Sequence, residues 1–240
     1  MSKRYEQKKA ARVIREQIAR ERRRRRTLWT SAIAACVLVL AGLVGLSVYN
    51  SQRPEGDFAV PPGATADRSG IVVGSGPVTV EIYLDYLCPA CRNFEEQSGA
   101  TIARYLTEER ITVVYHPVAI LDRYSTNRYS SRSAAGAGCA AEAGRLTEYT
   151  EALYADQPAE GGPGHSDERL VEIAVGAGLP GDDFGQCLRE NRYGDWVRYV
   201  TEEMARRGVR GTPTVFVNGQ MLGNPSNDEL VAAIDAAPAG

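Results

Sequence analysis

The sequence predicts an α/β domain that follows a single N-terminal transmembrane helix, and three observations predict this class. An uncharged apolar stretch occupies residues 28–48, which is long enough to cross a bilayer core as a helix. The alternating pattern of Val78–Leu84 predicts a strand, and a helical pattern follows at once after a Cys-x-x-Cys pair. Near the C-terminus, a second strand pattern at Thr214–Val217 leads into a hairpin turn and a last helix.

The charge of the chain is divided between a basic tip and an acidic body. Residues 1–27 carry 12 of the 28 Lys and Arg residues but 3 of the 30 acids, which leaves 16 basic and 27 acidic residues for the rest. An acidic body argues against nucleic acid as a partner. Five arginines at 22–26 precede the apolar stretch, and the positive-inside rule places them in the cytoplasm. We therefore predict a single-pass protein of the cell membrane, with a cytoplasmic segment at 1–27, a transmembrane helix at 28–49 and an extracytoplasmic domain.

Three other interpretations of the N-terminus stay open. A cleaved signal peptide would have a shorter apolar run and a small-residue cleavage site at its end. A lipoprotein signal would use Cys36, but the apolar run continues well past that residue. A nucleic-acid-binding tail is the third, although a basic run beside a transmembrane helix more often sets topology or contacts anionic lipid.

Residues 50–69 are rich in Pro, Gly and small polar residues, which is typical of a flexible linker. The folded domain is therefore expected to span residues 70–240.

The Cys88-Pro89-Ala90-Cys91 pair lies at the junction between the strand and the following helix. A sulfur at this position is close to unpaired backbone N–H groups and to the positive end of the helix dipole, and both favour the thiolate. Pro89 suits the first helical position, where its missing N–H costs nothing. Cys88 is thus the expected attacking thiolate, and Cys91, one turn into the helix, the shielded resolving thiol.

A Cys-x-x-Cys pair can also be half of a zinc site or a plain structural disulfide. A site of four cysteines needs a second close pair, but Cys139 and Cys187 are far apart in the sequence. Histidine occurs twice, at His116 and His165, which weakens both a zinc site and a copper carrier. We expect no metal, and we assign neither histidine a role.

The C-terminal signature begins at Gly211-Thr212-Pro213-Thr214 and continues through the hairpin signal Asn218-Gly219. A capping box, Ser226 to Glu229, opens the last helix. Together with the upstream cysteine pair, this signature resembles the DsbA-like family of thioredoxin-fold thiol–disulfide oxidoreductases, of the membrane-anchored bacterial type, over about residues 70–240.

The resemblance implies a cis bond between Thr212 and Pro213, with the Thr212 backbone facing the reactive sulfur and pairing with an extended substrate. It also implies a redox-active disulfide as the sole redox group, with no dissociable cofactor. The implied partners are unfolded or folding exported proteins, and a quinone-linked membrane oxidase that regenerates the disulfide.

The chain departs from the family pattern in two places. Many family members carry a buried acid six residues before the first cysteine, where this chain has Ile82. Glu81 and Asp85 lie nearby, and either could relay a proton for Cys91 or could simply be solvated or ion-paired. Between the cysteines stands Ala90 and no polar residue, so thiolate stabilisation is expected to rest more on the helix terminus alone.

Residues 122–208 predict a helical insertion, with helices near 131–154, 167–177, 182–190 and 193–207. DsbA-like proteins carry such an insertion. Cys139 and Cys187 both fall within it, and in an oxidising compartment their even number favours a structural disulfide over two buried free thiols.

The favoured function is an oxidase that introduces disulfides into exported proteins. A disulfide isomerase or reductase of the same fold stays open, because Thr212 before Pro213 occurs on both sides of that division. A non-catalytic extracytoplasmic binding module is a third possibility, but it would need neither the cysteine pair nor the Thr-Pro loop.

Overall fold

The computed structural model describes residues 58–237, and the predictions for residues 1–57 lie outside that range. They include the basic segment at 1–27, the transmembrane helix at 28–49 and Cys36. Within residues 58–237, no helix is both long and apolar enough to span a bilayer.

The described part of the chain contains five strands and seven helices, with all but two of the helices between the third and fourth strands. The strands are β1 (Ile71–Gly74), β2 (Val78–Leu84), β3 (Ile111–Pro117), β4 (Thr214–Val217) and β5 (Gln220–Met221). The helices are α1 (Pro89–Thr107), α2 (Tyr129–Glu142), α3 (Leu146–Ala155), α4 (Asp167–Gly176), α5 (Gly181–Arg189), α6 (Gly194–Arg206) and α7 (Asn227–Ala236), with a 3₁₀ turn at Asp122–Tyr124.

The strands form one sheet in the order β1-β3-β2-β4-β5, with β2 at its centre. β2 runs parallel to β3 and antiparallel to β4, and a parallel neighbour needs a crossover connection, which α1 supplies. Val80, Ile82 and Leu84 of β2 are buried. The redox pair therefore follows the central strand of the sheet. β1 was not predicted, because four residues are too few to show a period.

The insertion between β3 and β4 is helical, as predicted, and consists of α2 to α6. One prediction within it is wrong, because the helix expected over 131–154 is two helices, α2 and α3. Gly144 stands at the break with φ +65°, a left-handed conformation that ends helices and suits glycine. The break lets α3 fold back against α2.

Residues 58–69, called the strap here, are part of the folded domain, so the predicted linker is wrong in its second half. The Trp196 indole N–H donates to the Arg68 carbonyl at 2.7 Å, and the Tyr199 hydroxyl donates to the Asp67 carbonyl at 2.7 Å. The composition of the strap indicated a linker because its partners lie 128 or more residues away in the sequence.

The C-terminal hairpin has the predicted turn, since Asn218 and Gly219 both have positive φ, at 45° and 78°. Half of the predicted capping box forms at α7, where the Ser226 hydroxyl accepts from the Glu229 N–H. The Glu229 carboxylate accepts instead from the N–H groups of Gly223 and Asn224, both at 2.9 Å. It thereby ties the loop after β5 to the start of α7.

Candidate active site

The two thiols lie where the central strand passes into α1. Cys88 is the N-cap residue of α1 and Pro89 its first residue. The Cys88 N–H donates to the Asp85 carbonyl at 2.9 Å, which closes the turn between β2 and α1. Both cysteines are free thiols in this structure, and Cys88 is 8% exposed against 2% for Cys91. This is the order expected for an attacking and a shielded thiol.

The loop before β4 brings Thr212 and Pro213 against the redox pair. The peptide bond between them is cis, as the resemblance implied. The Cys88 Sγ lies 3.3 Å from the Thr212 carbonyl oxygen, and the Thr214 hydroxyl fixes the loop by donating to the Gly211 carbonyl at 2.8 Å. Two sequence signatures more than a hundred residues apart thus form one site.

The surroundings separate the two thiols in acidity. A hydrogen bond with the Cys91 thiol contributes most to lowering the pKa of Cys88 to about 6, against the opposing effect of burial. The Thr212 side chain and the backbone N–H groups of Cys91 and Ala90 at the helix start lower it further. Burial raises the pKa of Cys91 well above its ordinary value, and the Cys88 sulfur adds to this. The helix terminus is therefore not the only group that stabilises the Cys88 thiolate, because the hydrogen bond with the Cys91 thiol lowers the pKa of Cys88 more.

Asp85 is fully buried just before the redox loop, and its carboxyl group accepts three hydrogen bonds. The donors are the Leu87 N–H at 2.9 Å, the Leu121 N–H at 3.0 Å and the Ser130 hydroxyl at 2.7 Å. Burial raises the pKa of Asp85 to about 6 in spite of these donors. Asp85 thus shapes the loop and can change its protonation near neutral pH.

Glu81, the other acid predicted to support the thiols, lies in a different cluster. Its Oε2 is 3.3 Å from the His116 Nε2 and 3.2 Å from the Arg207 Nη1, and both residues, His116 foremost, lower the pKa of this carboxyl. His116 also contacts the Ser69 carbonyl at 2.7 Å, and Arg207 pairs with Asp67. These contacts make Glu81 part of the strap attachment and do not support its assignment to the redox pair.

Two residues near the thiols were not predicted from the sequence. Gln157, directly after α3, donates from its Nε2 to the carbonyls of Tyr86 and Cys88, both at 3.0 Å. Glu95 lies on α1, one turn beyond Cys91, and is partly buried. The four-residue spacing from Cys91 could have indicated Glu95, whereas nothing in the sequence linked Gln157 to the redox loop.

Glu95→Gln is expected to stabilise the domain at alkaline pH and not in acid. Burial raises the pKa of Glu95 to about 7, and the Glu151 charge adds to the effect. A carboxyl whose pKa is higher in the folded state than in the unfolded chain makes folding less favourable as pH rises through the interval between the two values, here from about 4.5 to about 7. We expect a gain of about 1–2 kcal/mol in the free energy of unfolding at pH 8, after allowance for partial exposure.

Denaturant titrations at pH 4 and pH 8 measure this effect. Glu96→Gln is the matched control, because Glu96 is exposed and pairs with Arg92. An equal gain at both pH values would show that the Glu95 charge is not the cause.

A groove of about 690 Å³ opens beside Cys88, between the insertion and the cis-proline loop. Its apolar lining comes from Ile120, Leu121, Tyr124, Met204 and Val209, and its charged lining from Arg123, Glu160 and Arg210. Thr212 lines the same groove. An extended chain lying in it could therefore reach both the Cys88 sulfur and the Thr212 backbone.

The second cysteine pair forms a disulfide, as predicted. Cys139 of α2 and Cys187 of α5 are joined with their Cα atoms 6.0 Å apart. Across residues 58–237, no group of three or more His, Cys, Asp or Glu side chains is arranged to hold a metal ion.

The fold and the site agree with what comparison with known proteins shows. The family model described as Thioredoxin matches residues 68–236, so the chain belongs to the thioredoxin family. The structure of DsbA from Mycobacterium tuberculosis is 32% identical, superposes with a TM-score of 0.62 and covers 70% of this chain and 91% of its own. The probable disulfide bond formation protein D of Bacillus anthracis is 26% identical over 83% of this chain and 90% of its own length. The protein is a thiol–disulfide oxidoreductase of the DsbA-like kind.

The chain also matches part of a larger protein. The chain is 29% identical over 161 residues to the Na(+)/H(+) antiporter NhaA 3 of Salinispora tropica, and the match spans 22% of that protein's length.

Proposed function

We propose that the protein is an oxidase that introduces disulfides into exported proteins through Cys88 and Cys91. The observation that carries this proposal is the unequal acidity of the two thiols, with the pKa of Cys88 lowered to about 6 and that of Cys91 raised. At neutral pH the reduced protein gains free energy from its Cys88 thiolate. A cysteine pair whose reduced form is stabilised readily transfers its disulfide to a substrate.

The oxidised protein carries a disulfide between Cys88 and Cys91, and the transfer takes two exchange steps. A substrate thiolate attacks the Cys88 sulfur, the bond to Cys91 breaks, and Cys91 leaves as a thiolate that takes up a proton. A second substrate thiolate then attacks the substrate sulfur of the mixed disulfide, and Cys88 leaves as a stable thiolate. The substrate loses two electrons and gains a disulfide, while the protein becomes the dithiol. We propose Asp85, which is buried before the redox loop and whose pKa burial raises to about 6, as the acid that exchanges the proton of Cys91.

The groove beside Cys88 supports unfolded or folding polypeptides as substrates. The Thr212 backbone next to the cis Pro213 offers strand-like hydrogen bonds to an extended segment, which is a mode of recognition that does not depend on sequence. The mainly apolar lining would accept the hydrophobic side chains that an unfolded chain exposes.

We place the domain outside the cytoplasm, anchored by residues 28–49. The support is the apolar stretch behind five arginines, together with the disulfide between Cys139 and Cys187, since such bonds persist in oxidising compartments. Each turnover leaves a dithiol, so a membrane oxidase that passes electrons to a quinone is the proposed recycling partner. Recovery of the protein in the membrane fraction after alkaline extraction, and its release when residues 1–49 are deleted, would test the anchor.

The reduction potential of the cysteine pair tests the direction of the reaction. The domain is equilibrated with glutathione buffers, and free thiols are counted by alkylation and mass spectrometry. We expect a potential between about -180 and -120 mV, well above the value of about -270 mV for thioredoxin. A potential at or below that of thioredoxin would instead indicate a reductase.

A further inference from the structure

One side chain of the insertion, Gln157, contacts two carbonyl groups of the redox loop. The Gln157 Nε2 lies 3.0 Å from the Tyr86 carbonyl oxygen and 3.0 Å from the Cys88 carbonyl oxygen. A primary amide has two N–H bonds on one nitrogen, so Gln157 can donate a hydrogen bond to each carbonyl at the same time. A glutamate at this position would place a carboxylate oxygen against the two carbonyl oxygens and could donate no hydrogen bond to them.

Gln157 is itself held in place by its neighbours in the chain. Three residues earlier, the Tyr154 hydroxyl donates to the Asp85 carbonyl at 3.2 Å. Next to it, the Asp156 carboxylate accepts from the Arg169 Nε at 2.9 Å and from the Arg169 Nη2 at 2.7 Å. The end of α3 and the residues after it therefore contact the redox loop through Tyr154 and Gln157, and α4 through Asp156.

The Gln157 contacts can affect the stability of the Cys88 thiolate because the carbonyls of Tyr86 and Cys88 lie on either side of this residue's side chain along the backbone. A carbonyl oxygen carries partial negative charge, and a thiolate nearby is less stable when that oxygen turns towards it. The Thr212 carbonyl already lies 3.3 Å from the sulfur. The Gln157 N–H donors hold the Tyr86 oxygen and partly neutralise both oxygens. The Arg92 N–H also donates to the Cys88 carbonyl at 3.2 Å.

We propose that Gln157 is a positioning residue, which fixes the carbonyls of Tyr86 and Cys88 and thereby stabilises the thiolate at Cys88. This rests on the proposed function, because it concerns the sulfur that exchanges with substrate. It also gives the insertion a direct connection to the reactive group.

The other ionisable groups around Cys88 stay unchanged when Gln157 is substituted. Cys91 and Asp85 lie beneath the loop, and Arg123, Glu160 and Arg210 line the adjoining groove. A change in thiolate stability in the uncharged variant Gln157→Ala can therefore be attributed to the lost amide contacts, whereas Gln157→Glu adds the repulsion of a carboxylate.

The experiment follows thiolate absorbance at 240 nm against pH in the reduced protein, for the parent and the variants Gln157→Glu and Gln157→Ala. The Gln157→Glu variant is expected to raise the midpoint for Cys88 by about one pH unit, since it replaces two donors with acceptors. We expect a smaller rise for Gln157→Ala, which removes the donors without adding charge. Gln186→Glu is the matched control, because Gln186 is exposed on α5 and bonds Glu190, and its midpoint should equal that of the parent.

An unchanged midpoint in folded Gln157→Ala would overturn the proposal even if that of Gln157→Glu rises, because the added charge alone can raise it. An unchanged midpoint in folded Gln157→Glu would overturn it as well. Circular dichroism and thermal melts establish folding, and failure of both variants to fold would reassign Gln157 to the stability of the domain and overturn the proposal as well. The titration does not depend on the direction of electron flow. A low reduction potential in the parent would therefore contradict the oxidase function and leave this test intact.

Discussion

Replacing Cys88 with serine is expected to reduce disulfide exchange to the uncatalysed rate, whereas Cys91→Ser is expected to trap a mixed disulfide with substrate. Cys88 carries the thiolate and lies beside the Thr212 backbone and the groove, so no other described free thiol can take its place. Without Cys91, no internal thiol can release a substrate that is bound to Cys88. Non-reducing gels of protein mixed with an unfolded, disulfide-containing substrate would show the adduct.

The Cys88→Ser and Cys91→Ser double variant is the control for the trapped adduct, because it has neither redox thiol. Adducts of equal amount on the Cys88→Ser single variant would contradict the assignment of the attacking sulfur. Cys91 variants also test the source of the Cys88 acidity. Cys91→Ala removes the hydrogen bond that contributes most to lowering the pKa of Cys88, whereas Cys91→Ser retains a donor, so the pKa should rise more with alanine.

Removing the second disulfide by Cys139→Ala and Cys187→Ala is expected to lower the free energy of unfolding by about 4 kcal/mol. The bond closes a loop with a sequence separation of 48 residues, and on the chain-entropy model most of its effect is a restriction of the unfolded chain. For a domain of this size, that loss corresponds to a fall of about 10 °C in Tm. Denaturant titrations measure it best in a background where Cys88 and Cys91 are both alanine, so that thiols cannot exchange.

The reduced form of that same background serves as a second control, because reduction should reproduce the loss without any substitution. Equal unfolding midpoints before and after reduction would show that Cys139 and Cys187 are not joined in solution. Because the bridge links α2 to α5, its loss should act on the insertion, and the potential of the Cys88–Cys91 pair should change little.

The parts of the site that are short in sequence could be predicted from it. The strand, the Cys88-Pro89-Ala90-Cys91 turn and the helix are contiguous, so local patterns were enough to place the two thiols. The cis bond before Pro213 came from a family resemblance and is present in the structure. The pairing of Cys139 with Cys187 followed from an even cysteine count, once a compartment was inferred.

The remaining features depend on contacts between distant segments, which periodicity does not show. Gln157 contacts the redox loop only because α3 folds back at Gly144, where one long helix was expected. Glu81 and Asp85 are four residues apart in the sequence, yet His116 and Arg207 hold the first, while Leu121 and Ser130 donate to the second. The sequence alone could not show that these two acids lie in different clusters of contacts.

The strap changes where the functional unit of this chain begins. A fragment that starts at Gly70 would contain both redox cysteines, the cis-proline loop and the whole insertion. It would nevertheless leave the Trp196 indole N–H and the Tyr199 hydroxyl without the carbonyls they contact, and Arg207 without Asp67. Phe58, at the start of the strap, packs against Tyr199 with ring centroids 5.2 Å apart. Any exchange of this domain between proteins, by recombination or in the laboratory, therefore has its N-terminal boundary at or before Phe58, twelve residues ahead of the point that composition suggests.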